Sequence, residues 1–195
     1  MAERSPRASS VVLVGLMGSG KTTVGRKAAK LLDRPFVDAD DALAERTGRS
    51  VAEWFASDGE AGFRAAEAEV LAALLAVPGP CVVAAGGGVV VTAASRRRLA
   101  SPDVTVVWLR ADPAFLASRV SRKAHRPLLA GDPIEVLTRL SAEREGWYAE
   151  VADAVVEVAP AHEAGGRPKW RLAEQVAEAV RGRESASTAA GAGAS

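Results

Sequence analysis

Gly15-Leu16-Met17-Gly18-Ser19-Gly20-Lys21-Thr22 carries the spacing G-x-x-x-x-G-K-[ST] of a phosphate-binding loop. Glycines at Gly15, Gly18 and Gly20 let the backbone curl so that successive N–H groups, including those of Ser19 and Thr23, can point at one anion. Lys21 brings a mobile cation for the β- and γ-phosphates of a nucleotide. The Thr22 hydroxyl is placed to ligate Mg2+. Asp38-Ala39-Asp40 adds two carboxylates at i and i+2, which share a face if that stretch is extended. A hard cation beside phosphates wants oxygen ligands, and a hydroxyl attacking phosphorus wants a carboxylate to take its proton. One aspartate for each task is the economical reading; an acidic turn capped by Asp41 is the plain one. Together these residues describe phosphoryl transfer from Mg2+–ATP to a hydroxyl.

Three further groups bear on the acceptor. Arg64 and Glu67 stand three apart on a helical stretch, so the pair can meet on one face. Taken alone they read as an exposed ion pair of little worth. The functional alternative is an arginine oriented by its glutamate toward an anionic substrate group, which its planar fork suits. Gly86-Gly87-Gly88 ends a strand-like run and gives up all side-chain packing. Either a ligand comes close to that backbone, or the chain makes a tight turn there. Residues 119–129 hold Arg119, Arg122, Lys123, His125 and Arg126. In a near-neutral chain a basic loop over about 119–132 is the expected form of a mobile lid, closing an arginine onto the transferring phosphoryl group. A solvated loop or an RNA-contacting patch is the other reading. No aromatic residue is interleaved, which disfavours single-stranded nucleic acid.

The elements that must hold these groups alternate in type. Val11–Val14 reads as a buried strand and Thr23–Leu32 as a helix, so the loop sits between strand and helix as it must. Phe36-Val37 leads a second strand into Asp38. Helices follow over 41–47, 51–57 and 61–76, with Phe63, Ala66, Val70, Leu74 and Leu75 at helical spacing. Strands are expected at 81–85, 104–109 and 154–158. Helices are expected at 93–99, 113–120 (capped by Asp112), 134–151 and 172–180. Five short buried strands between helices predict a three-layer α/β/α domain around a central five-stranded parallel sheet.

The chain has 195 residues, 25 basic and 24 acidic, for a net charge of +1. This is the size of one domain, expected over 10–181, and the charge supplies no global field to recruit nucleic acid. Residues 1–9 read as a disordered leader and 182–195 as a flexible low-complexity tail. Cys81 is the single cysteine, so no internal disulfide can form; it fits a reducing compartment and reads as a small buried hydrophobe. No apolar run reaches the ~20 residues of a membrane span. A cytoplasmic monomer without membrane or nucleic-acid partners is the expectation.

In order and spacing, over roughly 11–180, the set resembles the shikimate kinase family of small-molecule P-loop kinases. The carrying pieces are the loop through Gly25, Asp38-Ala39-Asp40, Gly59-Glu60-Ala61-Gly62-Phe63-Arg64 with Glu67, Gly86-Gly87-Gly88, Arg126-Pro127-Leu128-Leu129, and Arg144 four residues before Tyr148. Glu145-Gly146-Trp147 stands where the family usually carries a proline and an aliphatic residue. The resemblance implies transfer of the ATP γ-phosphoryl group to the 3-hydroxyl of shikimate, a step toward chorismate and the aromatic amino acids. It implies that Lys21, Thr22 and Asp38 hold the Mg2+–ATP phosphates, and that Asp40 binds the shikimate hydroxyls and accepts the proton. Arg64, Gly87, Gly88 and Arg144 would bind the substrate, the arginines and Gly88 mainly at its carboxylate, with Gly86 beside them. Phe55 and Phe63 would wall the ring. Arg126 would be the lid arginine, and Arg119 would flank the adenine with Arg167 and Pro168 on its other side. The competing expectations are a gluconate or nucleoside-monophosphate kinase of the same fold, or a P-loop regulatory module that binds nucleotide without a small substrate.

Overall fold

The computed structural model describes residues 8–120 and 132–192. Its strands are β1 (Ser10–Val14), β2 (Phe36–Asp38), β3 (Val82–Ala84), β4 (Val104–Arg110) and β5 (Ala154–Glu157). Its helices are α1 (Lys21–Leu32), α2 (Ala39–Thr47), α3 (Val51–Ala76), α4 (Ala93–Leu99), α5 (Pro113–Val120), α6 (Pro133–Val151), α7 (Val158–Glu163) and α8 (Pro168–Ala192).

The five strands form one sheet in the order β2-β3-β1-β4-β5, and every pairing is parallel. Side chains alternate across it. Val12 and Val14 of β1 face a core built with Leu71, Leu75, Leu99, Leu137 and Leu140 from α3, α4 and α6. Val11 and Leu13 face the opposite layer, with Val24 and Ala28 of α1 and Leu172 and Val176 of α8. Both faces of β1 are thus dry, as an uninterrupted aliphatic run requires.

The strand order reverses at β1. The chain leaves β1 past β3 to the edge strand β2, returns to β3, and then crosses to β4 on the other side. Ligands in such sheets bind at that reversal, beyond the carboxyl ends of the strands. Register fixes what meets there. Leu13 and Asp38 both stand opposite Ala84, so the loops that follow β1, β2 and β3 start from one row.

Several boundaries differ from the sequence expectation. Asp40 lies in the first turn of α2, and Asp38 rather than Asp41 caps that helix, its Oδ1 accepting the Asp40 N–H at 3.1 Å. A short polar side chain at the end of a strand outcompetes extension by satisfying an orphan helical donor. The two helices expected over 51–57 and 61–76 are both present within α3, separated where Gly59 leaves the helical region (φ 65°, ψ −171°), and a Ser50–Glu53 capping box opens the first. Val158, expected in the last strand, starts α7. Asp112 caps α5, accepting the Ala114 N–H at 2.7 Å.

The ends also differ. Ser9, expected in the leader, is buried; its hydroxyl shares a 2.6 Å hydrogen bond with Thr105, and its N–H donates to Glu184. Arg34 clamps that Glu184 carboxylate with two bonds of 2.8 and 2.9 Å. This gives the alanine-rich segment from 182 a fixed anchor, and α8 runs through it to Ala192. Ala is the best helix former, so a helix already nucleated by packing propagates through it.

Candidate active site

The phosphate loop spans from β1 to α1. Gly15, Gly18 and Gly20 all take positive φ, at 136°, 86° and 96°. Gly15 has a second constraint: a Cβ there would lie 2.5 Å from the Leu109 carbonyl oxygen of β4. A side chain would therefore both strain the turn and push the loop off the sheet. The first turn of α1 contains no acidic residue, so its positive end is left for an anion. Ser19 is buried, and its Oγ has no partner among the described residues. Lys21 Nζ donates to the carbonyls of Gly15 and Leu16 at 2.7 and 3.1 Å, which holds the ammonium across the loop.

Beside the loop, Thr22 Oγ1 donates to Asp38 Oδ2 at 2.7 Å. Asp38 thus uses one oxygen to cap α2 and the other to reach α1. A cleft of about 250 Å³ is lined by Gly18, Gly20, Lys21, Thr22, Thr23, Asp38 and Asp40, with Arg119 and Lys169 on its far wall. The two aspartates meet there despite the helical geometry of Asp40, because helix capping turns the chain back toward the loop.

A second cavity of about 310 Å³ adjoins the first. Phe55, Phe63, Arg64, Glu67, Gly86, Gly87, Gly88 and Arg144 line it, and it shares Met17, Asp40, Gly86 and Gly87 with the cleft. Phe55 and Phe63 form one wall, their ring centroids 4.8 Å apart. Arg64 and Glu67 are not an exposed pair: both are 5% accessible, and Arg64 Nη1 donates to Glu67 Oε2 at 2.8 Å. Glu60 takes a second hold on the same guanidinium, at 3.2 and 3.3 Å. Burial pushes the Glu67 carboxyl above the usual carboxylate range, while Arg64 pulls the other way and Asp40 adds to the rise.

The glycine triplet has a reason in the chain itself. A Cβ on Gly86 would fall 2.3 Å from Glu67 Oε1, and one on Gly88 would fall 2.2 Å from the Arg64 guanidinium. What approaches this backbone closely is the buried ion pair. The Gly87 carbonyl accepts from Arg144 Nη1 at 3.0 Å and from the Tyr148 hydroxyl. Burial raises the Tyr148 pKa, so the phenol stays a donor. Arg144 is itself buried, with Nε unpartnered among the described residues. Trp147 does not disturb this setting; it packs at the edge of the core, with the Arg96 guanidinium 5.2 Å from its ring. Two buried guanidinium groups thus line one small cavity, Arg64 held by Glu60 and Glu67 and Arg144 by the Gly87 carbonyl, a setting that suits an anionic group of a ligand.

The structure does not assemble every expected residue. Arg126, with Arg122, Lys123 and His125, lies outside the described residues. Pro168 opens α8, and Arg167 lines a separate depression with Leu31, Trp170, Arg171 and Glu174. Lys169, two residues on, faces the phosphate cleft instead. Sequence reading missed Lys169 and gave Tyr148 no role. A lysine after a glycine-rich turn carries no motif, and a tyrosine four residues from an arginine reads as core.

The sequence pattern of the family described as Shikimate kinase matches residues 17–181. A shikimate kinase of Caulobacter vibrioides is 46% identical over 176 residues, covering 90% of this chain and 84% of its own. The chain belongs to the shikimate kinase family. Among solved structures, shikimate kinase from Acinetobacter baumannii in complex with shikimate superposes with a TM-score of 0.79 at 34% identity, covering 88% of this chain and 92% of that one. Shikimate kinase from Bacteroides thetaiotaomicron gives the same TM-score at 26% identity, covering 89% and 98%. Family membership makes the chain an ATP-dependent kinase, and the two joined cavities are where that chemistry has room.

Proposed function

We propose that the chain transfers the γ-phosphoryl group of ATP to the 3-hydroxyl of shikimate, giving shikimate 3-phosphate and ADP. The observation that carries this is the place of Asp40, on the seam between the phosphate-loop cleft and the cavity with the two buried arginines. Shikimate is a small ring with one carboxylate and three hydroxyls, which is the complement of that cavity.

The roles are those that the family resemblance implies. The loop amides and Lys21 hold the β- and γ-phosphates. Thr22 and Asp38 present hard oxygen donors side by side, a set that suits Mg2+ and would hold it against those phosphates. Bound there, the ion would neutralise charge on the phosphate oxygens. Arg64 and Arg144 bind the substrate carboxylate, the Gly86–Gly88 backbone lies along the ring, and Phe55 and Phe63 wall its apolar face. Asp40 accepts the hydrogen bond of the attacking hydroxyl and takes its proton as the oxygen bonds to phosphorus. Arg126 serves as the lid arginine at the phosphates. Arg119 flanks the adenine from α5, with Lys169 of α8 facing the same cleft.

The same reading makes the protein a cytoplasmic monomer without nucleic-acid partners. Its near-zero net charge supplies no field to recruit nucleic acid, and no helix among the described residues is long and apolar enough to cross a membrane. The deciding experiment measures ADP released from Mg2+–ATP with shikimate, gluconate and nucleoside monophosphates supplied in turn. Turnover with shikimate alone is expected. Turnover only with another acceptor would keep the phosphate loop and void the substrate roles of Arg64, Gly87, Gly88 and Arg144.

A further inference from the structure

Arg119 reaches the wall of the phosphate cleft, yet it sits near the end of α5, on a half-buried stem. A long side chain there needs a second contact to keep one geometry. The structure supplies it from α7. Arg119 Nη1 lies 2.9 Å from His162 Nε2 and 3.4 Å from Nδ1. Phe115 completes the seat: its ring centroid is 5.4 Å from that of His162, and the Arg119 guanidinium carbon is 5.2 Å from its own.

The near-equal distances to the two ring nitrogens put Nη1 over the face of the imidazole rather than in line with one lone pair. A guanidinium has only donors and does not deprotonate, so it packs well on the π face of a neutral ring. A proton added to the ring would set two cations face to face. Among the described residues Lys169 of α8 also bears on the ring, again as a cation. Arg171 of α8 is engaged with the carbonyls of Ala161 and Gly165.

We propose that His162 is a positioning residue for nucleotide binding, holding Arg119 at the cleft through its neutral imidazole and releasing it when the ring is protonated. This rests on the reading of Arg119 as the adenine-flanking arginine. Burial, then the charges of Arg119 and Lys169, hold the His162 pKa below the usual histidine range. The contact is therefore intact at neutral pH, and the release falls on the acid side of pH ~6.5.

The test is the KM for ATP, at saturating shikimate, between roughly pH 7.5 and pH 5.5, in the native chain and in His162→Ala, His162→Gln and Arg119→Leu. Dissociation constants for ADP, measured by titration calorimetry, check that KM reports binding. His162→Ala raises KM for ATP about fivefold to tenfold at the neutral end, with kcat and the KM for shikimate within about twofold. His162→Gln, whose planar amide can pack on the guanidinium but does not titrate, recovers most of that loss. It also lacks the acid-side rise that the native chain shows beyond the titration of ATP itself. Two outcomes separate the failures. If Arg119→Leu raises the KM for ATP but His162→Ala does not, or if His162→Gln keeps the native acid-side rise, the positioning role is wrong and the reading of Arg119 stands. If Arg119→Leu leaves nucleotide binding unchanged, the reading of Arg119 falls and the inference falls with it.

Discussion

On the proposed roles Asp40 and Arg64 divide the labour of the site between them, and single substitutions should separate it. Asp40→Asn keeps the shape but gives up the charge and the proton acceptor. We expect kcat to fall by roughly 10²–10⁴ with the thermal midpoint little changed; near-native turnover in steady-state assays would remove the base role. Gly88→Ala tests Arg64 without touching it. The added Cβ would meet the guanidinium at 2.2 Å, so Arg64 must leave its place beside Glu67. The expected result is a shikimate KM raised by about 10-fold to 100-fold, matching Arg64→Ala, with the KM for ATP within about twofold. A shikimate KM that is native in Gly88→Ala but raised in Arg64→Ala would show that the glycine spares a different contact.

At the scale of elements, what binds the amino-terminal strand to the last helix is Glu184. Its carboxylate takes both Nη2 bonds from Arg34 and the N–H of Ser9, with side-chain accessibilities of 15% and 7% for Glu184 and Arg34. Arg34 and Glu184 are half-buried, so removing one partner loses charge-assisted hydrogen bonds worth about 1.5–3 kcal/mol. Arg34 keeps its bond to the Ser9 carbonyl at 2.9 Å, so the low end applies. Glu184→Ala should lower the thermal midpoint by roughly 3–6 °C, while KM values for both substrates stay native, since among the described residues α8 meets the cleft at its opposite end, through Lys169. A shift under about 2 °C in calorimetry would show that the pair is solvated and the tail dispensable.

For the whole molecule, the acceptor cavity is assembled against a stability cost. Burial raises the Glu67 pKa, so the folded chain holds that proton more tightly than the unfolded one. The linkage sign follows: this group's contribution to stability is fully present below the unfolded value of about 4.5 and is lost as pH rises through the folded value. Asp103 runs the other way. The Ser101 hydroxyl and then Arg98 lower its pKa, so its contribution is present above the unfolded value of about 3.8 and is lost as pH falls through the folded one. Across roughly pH 4 to 7, the thermal midpoint of the native chain should fall relative to that of Glu67→Gln as pH rises. A difference that stays flat would mean Arg64 fully offsets the burial. Glu67 and Glu60 together hold the Arg64 guanidinium at one angle on the cavity wall, the positioning that the proposed role of Arg64 requires.

The sequence by itself determined the chemistry of the phosphate loop and the class of fold. Gly15 to Thr22 can be read alone because its function is carried by backbone curvature and by two side chains within one turn. The five strands are legible because a sheet covered on both faces demands unbroken aliphatic runs such as Val11–Val14. The acceptor side depended on distance along the chain. Arg64 and Glu67 read as a surface pair from spacing; only the placement of α3 against Gly86–Gly88 buries them. The pairing of Gly87 with Arg144 and Tyr148 joins positions 57 and 61 residues apart, and no local pattern encodes that. Asp40 reached its place by capping rather than by strand geometry, because a helix start offered the Asp38 carboxylate a donor that an extended chain did not. Residues that act through the backbone of their own neighbours show in a sequence. Residues that act by meeting across the sheet edge are decided when the layers close.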